Sequence, residues 1–135
     1  MTPLLDTHVL VFLANHNAGR LPAPMLDAID SAVQSPRVSV ASLWEIALKV
    51  RAGKLAIDIP PPALPIYCRD MGFVTLPIAS EHVLTELDLL PPTRDPFDRL
   101  LLAQAQVEGL RLMTLDRALV DHPLAWRAED NSVVL

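Results

Sequence analysis

TPLLDTHVLVFL, residues 2–13, sets a carboxylate, a hydroxyl and an imidazole (Asp6, Thr7, His8) inside an otherwise apolar run. Leu4 and Leu5 ahead of Asp6, and the residues from Val9 to Leu13 behind it, carry the segment inward. A carboxylate taken inward loses its water and must find a cation, hydrogen-bond donors or a proton. The stretch reads as a short strand over residues 4–6 running into a helix over 8–15, and that strand-to-helix step recurs along the chain.

Short apolar runs alternate with longer segments of helical period, opened by a capping residue or Pro and closed by Gly or Pro. Further strands are expected over residues 38–40, 74–76 and 111–114, with a late edge strand in the tail at Trp126 or at residues 133–135. Helices are expected over residues 23–33, 43–52, 61–71, 80–87, 96–108 and 116–120. Gly53, Gly72 and Gly109 stand where helix C-terminal caps belong. Strands separated by helices imply a mostly parallel sheet of four to five strands covered on both faces, a three-layer α/β/α domain. The thirteen prolines gather at element edges and in IPPPALP (59–65) and LPPTRDP (90–96), which read as loops.

The chain has 135 residues, enough for one domain spanning residues 1–135 to bury most of its apolar surface unaided. An apolar fraction of 51% against 20% charged residues argues for a packed core and against disorder. Cys68 has no partner for an internal disulfide, and His8, His16, His82 and His122 lie too far apart for zinc-ligand spacing. No apolar run has the length of a membrane span, and the N-terminus lacks the basic start of a signal peptide. A soluble, cytoplasmic protein without a membrane partner is therefore expected. The formal charge of −5 argues against a nucleic-acid partner, unless the acids are gathered in one pocket where bound divalent ions reverse the local sign. Lys49, Arg51 and Lys54, close together in sequence, read as a solvated helix end.

In parallel α/β sheets a site lies beyond the carboxyl ends of the strands, where loops and helix N-termini converge. Asp6 ends the first strand. Glu45 falls in the first turn of the helix after RVSVAS (37–42), Asp98 in the first turn of the helix opened by RDPFDRL (94–100), and Asp116 just after the last strand. Each acid has a plainer role open to it. Ser42 and Glu45 spell a capping box, Asp95 before Pro96 is a helix cap that leaves Asp98 as an acid favoured by the helix dipole, and Asp116 caps the short helix after the last strand. Asp6 resists that treatment because of its apolar flanks, and Asp98 because Leu101, Leu102 and Ala105 share its helical face. Taken together, three or four inward acids repel one another and raise each other's pKa unless divalent cations bind them. Oxygen donors without thiolate or imidazole select Mg²⁺ or Mn²⁺, whose open positions take water and phosphate oxygens, the equipment of phosphodiester hydrolysis.

LLDTHVLVFL (4–13), VSVASLWEIALK (38–49), RDPFDRLLLAQA (94–105) and GLRLMTLDRAL (109–119), in this order, resemble the PIN-domain ribonucleases, in particular the VapC-type toxins of bacterial toxin–antitoxin pairs. The resemblance runs from Asp6 to about Leu119. It implies a three-layer PIN-like domain, a Mg²⁺- or Mn²⁺-dependent endoribonuclease leaving a 5′-phosphate, inhibition by a small VapB-like antitoxin, and a homodimer within the toxin–antitoxin complex. Position by position it makes Asp6, Glu45, Asp98 and Asp116 the acidic set, with Thr7, Ser42 and Thr114 as supporting hydroxyls. Asp95 is not one of the usual metal acids, and its role stays open.

On that reading Asp6, Asp98 and Asp116 hold the metal and Glu45 orients or deprotonates the attacking water. Arg99 and Arg117 either meet RNA phosphates or pair with local acids. The antitoxin is expected to cover the acidic pocket with Arg or Lys and to lay an apolar helix on aliphatic surface near the first helices. Two other classes stay in view. An aspartyl-nucleophile phosphatase or phosphotransferase of the haloacid-dehalogenase type also carries an Asp at the end of its first strand, but wants a second acid where His8 stands. A non-catalytic protein-binding module would use the acids only as caps, and metal titration separates it from the nuclease.

Overall fold

Leu4 and Leu5, adjacent on one strand, end in two different hydrophobic cores. A computed structural model of the chain, describing residues 1–31 and 34–131, shows why. Strand β1 (Pro3–Leu5) is central in a four-stranded, all-parallel sheet with β2 (Arg37–Ser39), β3 (Val74–Leu76) and β4 (Arg111–Met113), in the order β3-β2-β1-β4. Side chains alternate across a strand, so Leu5, Val38 and Met113 face one side while Leu4 and Leu112 face the other. The inner strand β1 is buried throughout, so Leu4 and Leu5 read as an apolar pair, as do Leu112 and Met113 of β4, while the edge strand β3 is exposed at Val74 and Thr75.

The helices are α1 (Thr7–Ala14), α2 (Ala23–Asp30), α3 (Val40–Arg51), α4 (Leu64–Asp70), α5 (Ser80–Leu84) and α6 (Pro96–Glu108). Val9, Leu10 and Leu13 of α1, Met25 and Ile29 of α2, and Leu64 and Cys68 of α4 pack with Leu5 and Met113 on the first face. Leu101, Leu102 and Ala105 of α6 pack with Leu4 and Leu112 on the second. The α3 helix joins the two, with Ile46 in the first core and Ala41 in the second. The result is the three-layer α/β/α domain expected.

Local chemistry sets the ends. Asp95 accepts the Phe97 N–H at 2.8 Å, and Pro96 opens α6 at the position where a missing N–H is harmless. Gly109, with φ 67°, closes α6 in the left-handed region and turns the chain into β4.

Several expectations change in detail. The helix expected over 116–120 is a turn over residues 117–120, held by Leu119 and Val120 N–H groups on the Asp116 carbonyl. The helix expected over 80–87 ends at Leu84, where Thr85 turns extended and its hydroxyl donates to the Glu81 carbonyl at 2.6 Å. The segment over 61–71 divides into a 3-10 turn (Pro61–Ala63) and α4. The tail strand at Trp126 is a single parallel bridge, Leu112 with Ala125, added outside β4. Residues 32–33 and 133–135, also expected in elements, lie outside the described residues. No described helix is long and apolar enough to cross a membrane.

Candidate active site

β1 and β4 are neighbours in register, Leu5 opposite Met113, so the residues that follow them emerge side by side. Asp6 and Thr114 are those residues. Thr114 Oγ1 donates to Asp6 Oδ2 at 2.6 Å, and the Thr7 N–H donates to Oδ1 at 2.8 Å, making Asp6 the N-cap of α1. Asp6 is only 3% exposed. Burial pushes its carboxyl above the ordinary carboxylate range, the donors from Thr114 and Thr7 and the charge of His8 oppose this, and Glu45 adds to the rise. His8 itself is exposed.

The α3 helix begins immediately after β2, with no loop between them. Its N-cap is Ser39, whose Oγ accepts the Ala41 N–H at 3.0 Å, and not Ser42. The expected capping box of Ser42 with Glu45 is therefore absent, and Glu45 lies in the second turn of α3, not the first. Ser42 is instead buried and accepts the Thr7 hydroxyl at 3.0 Å, tying α3 to α1 beneath Asp6. Glu45, 5% exposed, pairs through Oε2 with Lys49 at 2.7 Å. Lys49 is raised first by that hydrogen bond, with Asp95 and Asp98 adding to it, so this cation, in the last turn of α3 and partly exposed as expected, is also paired with an acid. Spacing i,i+4 between Glu45 and Lys49 was the signal that could have paired them from sequence.

Asp98 lies in the first turn of α6, half-buried. Its carboxyl is pushed up to about 7, chiefly by burial and then by the charges of Asp95, Asp6, Asp116 and Glu45. Thr93 touches it with a long 3.4 Å hydroxyl contact and also accepts the Asp95 N–H. Asp116 accepts the Ala118 N–H at 2.9 Å and donates its own N–H to Thr114 Oγ1 at 3.0 Å. Asp95 and Asp116 thus do cap, as the plainer reading of each allowed. Asp98 caps nothing.

Asp98 thus feels the charges of Asp6, Glu45 and Asp116, and Asp6 that of Glu45, while Thr114 bonds Asp6 and Thr7 bonds Ser42. The two arginines, Arg99 and Arg117, directly follow Asp98 and Asp116 in sequence. Arg99 donates through Nε to the Thr93 carbonyl at 3.0 Å and, with Arg94, lines a cavity of about 690 Å³ between α5 and α6. Arg117 is exposed, and neither Arg99 nor Arg117 forms an ion pair with the described residues. Exposed large aliphatic side chains are displaced from where they were expected. Among the described residues none is on α1 or α2; Val40 and Leu48 of α3 are exposed, and the most exposed are Leu84, Leu90, Val83, Ile66 and Leu89.

Oxygen donors alone suit a hard cation. Among the described residues no three His, Cys, Asp or Glu side chains stand close enough to form a ready cation cage. Mg²⁺ does not need one, because it commonly keeps several waters and uses one or two carboxylates together with substrate phosphate oxygens. The donor set fits a Mg²⁺-like ion on those terms.

The sequence matches the PIN domain family over residues 4–123, a span that takes in all four acids. PIN domains are in general nucleases, and they generally use divalent metal ions. Comparison with curated proteins and with solved structures finds no significant match. The family match covers most of the chain, and on that ground the chain belongs to the PIN domain family.

Proposed function

We propose that this chain is a Mg²⁺- or Mn²⁺-dependent endoribonuclease that hydrolyses RNA phosphodiester bonds, and that it acts as the toxin of a toxin–antitoxin pair. The observation that supports the nuclease reading is that Asp98, pushed up chiefly by burial and next by Asp95, also feels the charges of Asp6, Asp116 and Glu45, acids from distant segments. Carboxylates left to repel one another are costly, and a divalent cation removes the cost.

Asp6, Asp98 and Asp116 are the metal-holding acids of this reading. A bound ion supplies water activation and stabilises the leaving oxygen. Thr114 and the Thr7 N–H hold the Asp6 carboxylate in one orientation, and Ser42 anchors Thr7. Glu45, with Oε2 taken by Lys49, is left with Oε1 to orient water or accept its proton. Lys49 adds a positive charge among the acids.

The toxin role rests on the resemblance to VapC-type chains. It brings with it a small VapB-like antitoxin, a homodimer within the complex, a single domain over residues 1–135 and a cytoplasmic location. Arg or Lys from the antitoxin would answer the same carboxylates that the metal does.

The direct test is cleavage of a mixed-sequence RNA by the purified chain in Mn²⁺, in EDTA, and by Asp6→Asn in Mn²⁺. Internal cuts with 5′-phosphate ends in Mn²⁺ only, lost in the variant, are expected. No cleavage in Mn²⁺ or Mg²⁺, with the chain folded and free of any partner, overturns the reading.

A further inference from the structure

We propose that Lys49 is a built-in counter-ion of the candidate site, whose ammonium keeps Glu45 out of metal coordination so that the site takes one divalent ion and not two. The inference rests on the metal-dependent reading above and deepens it.

Lys49 stands one turn after Glu45 on α3, and helical side chains lean toward the start of their helix, which carries the ammonium back toward the end of β2. There it meets Glu45 Oε2 at 2.7 Å. The Glu45 side chain is 6% exposed and that of Lys49 38%, so the acid is shut from water while the cation reaches it. Of the ion pairs between described residues, this one alone takes in an acid of the candidate site, since Asp6, Asp98 and Asp116 have none. The α3 helix also packs on α6, where the rings of Trp44 and Phe97 meet edge to face with centroids 5.3 Å apart. From the start of α6, Asp95 and Asp98 act on Lys49 as well. Their charges and that of Glu45 support the hydrogen bond, against burial, in holding the ammonium above the ordinary lysine range.

An exposed i,i+4 ion pair on a helix is commonplace and does little. A carboxylate as buried as Glu45 differs, because a charge left alone there is costly and needs either a metal or a cation. The two do not share it well. Mg²⁺ stands about 2 Å from a ligand oxygen, so an ion on Oε2 would face the ammonium across at most about 5 Å, like charge against like. Two-metal phosphodiester sites set their ions about 3.5–4 Å apart, and here the ammonium supplies the positive charge that the second ion would bring. Asp6, Asp98 and Asp116 are left for the first.

Counting bound Mn²⁺ tests the assignment. The EPR signal of free Mn²⁺ is followed as the ion is added, without RNA, to the intact chain, Lys49→Met, Lys49→Arg, Glu45→Gln and the double variant Glu45→Gln/Lys49→Met. The intact chain and Lys49→Arg should each bind one ion. Lys49→Met should bind two, with the low-temperature spectrum of a magnetically coupled pair. Glu45→Gln and the double variant should each bind one, because the second ion needs the Glu45 carboxylate freed from Lys49. Two ions on the intact chain, one on Lys49→Met, or two on the double variant overturns the proposal and leaves the metal reading standing. Should Lys49→Met fail to fold, the intact chain and Glu45→Gln decide by themselves. Loss of the ion from Glu45→Gln makes Glu45 its ligand and overturns the proposal, whereas one ion on each upholds it. No Mn²⁺ on the intact chain overturns the metal reading and this inference with it. The expected counts without RNA cleavage sink the ribonuclease and leave the role of Lys49 intact.

Discussion

Thr114 Oγ1 donates to Asp6 Oδ2 at 2.6 Å across 108 positions of sequence, and the same oxygen accepts the Asp116 N–H at 3.0 Å. One hydroxyl therefore holds two acids of the candidate site in relation to each other. Register explains the meeting, since β1 and β4 run side by side with Leu5 opposite Met113.

Thr114→Val keeps the shape and removes the hydroxyl. The Asp6 carboxylate, almost fully buried, then loses one of its two donors, at about 1.5–3 kcal/mol for a hydrogen bond to a charged group. Urea melts at neutral pH in EDTA should show a loss of that order, with Thr114→Ser close to the parent. A Thr114→Val protein as stable as the parent would show that the bond does not hold Asp6.

Metal-free stability should fall as pH rises across the window from 3.8 to about 7. Asp98 is pushed up to about 7 in the folded chain, so within that window the folded state binds more protons than the unfolded state. The raised carboxyl of Asp6 acts in the same direction. Asp98→Asn should flatten the dependence in EDTA. An unchanged slope in that variant assigns the effect to other groups.

Asp95 and Asp98, three residues apart, should separate by substitution. Asp95→Ala removes a cap that holds the Phe97 N–H and should cost about 1 kcal/mol, leaving much of the metal-dependent cleavage. Asp98→Asn should nearly abolish cleavage while metal-free stability holds or rises, because one of several crowded charges is gone. Parallel loss of activity and stability in both variants would reduce Asp98 to part of the helix start.

Mn²⁺ or Mg²⁺ should raise the melting temperature, since an ion that binds the folded acids and not the unfolded chain stabilises by mass action. At a hundred times the dissociation constant the gain is about 2.7 kcal/mol. Thermal melts with metal and with EDTA give the comparison, and Asp6→Asn should lose the shift. No shift at millimolar metal counts directly against metal-holding acids.

The order of strands and helices was legible from residue pattern because it is local chemistry. Pro96 after Asp95 starts α6 and Gly109 ends it whatever lies around them. The apolar runs at Leu4, Val38 and Leu112 announce strands buried on both faces. Where two residues could do the same local job, pattern alone chose wrongly. Ser39 and Ser42 are equally good caps, and the choice fell to Ser39 because Ser39 ends β2, paired with Leu76 of β3, and the chain must turn into α3 there. Asp116 caps a turn where a helix was expected, and Glu45 belongs to Lys49. That Asp6, Glu45, Asp98 and Asp116 share the carboxyl edge was legible from their places at strand ends and helix starts, but how near they come to one another, like the meeting of Trp44 with Phe97, has no local signature. It depends on the β3-β2-β1-β4 order, and strand order is a matter of non-local pairing that residues along one segment do not encode.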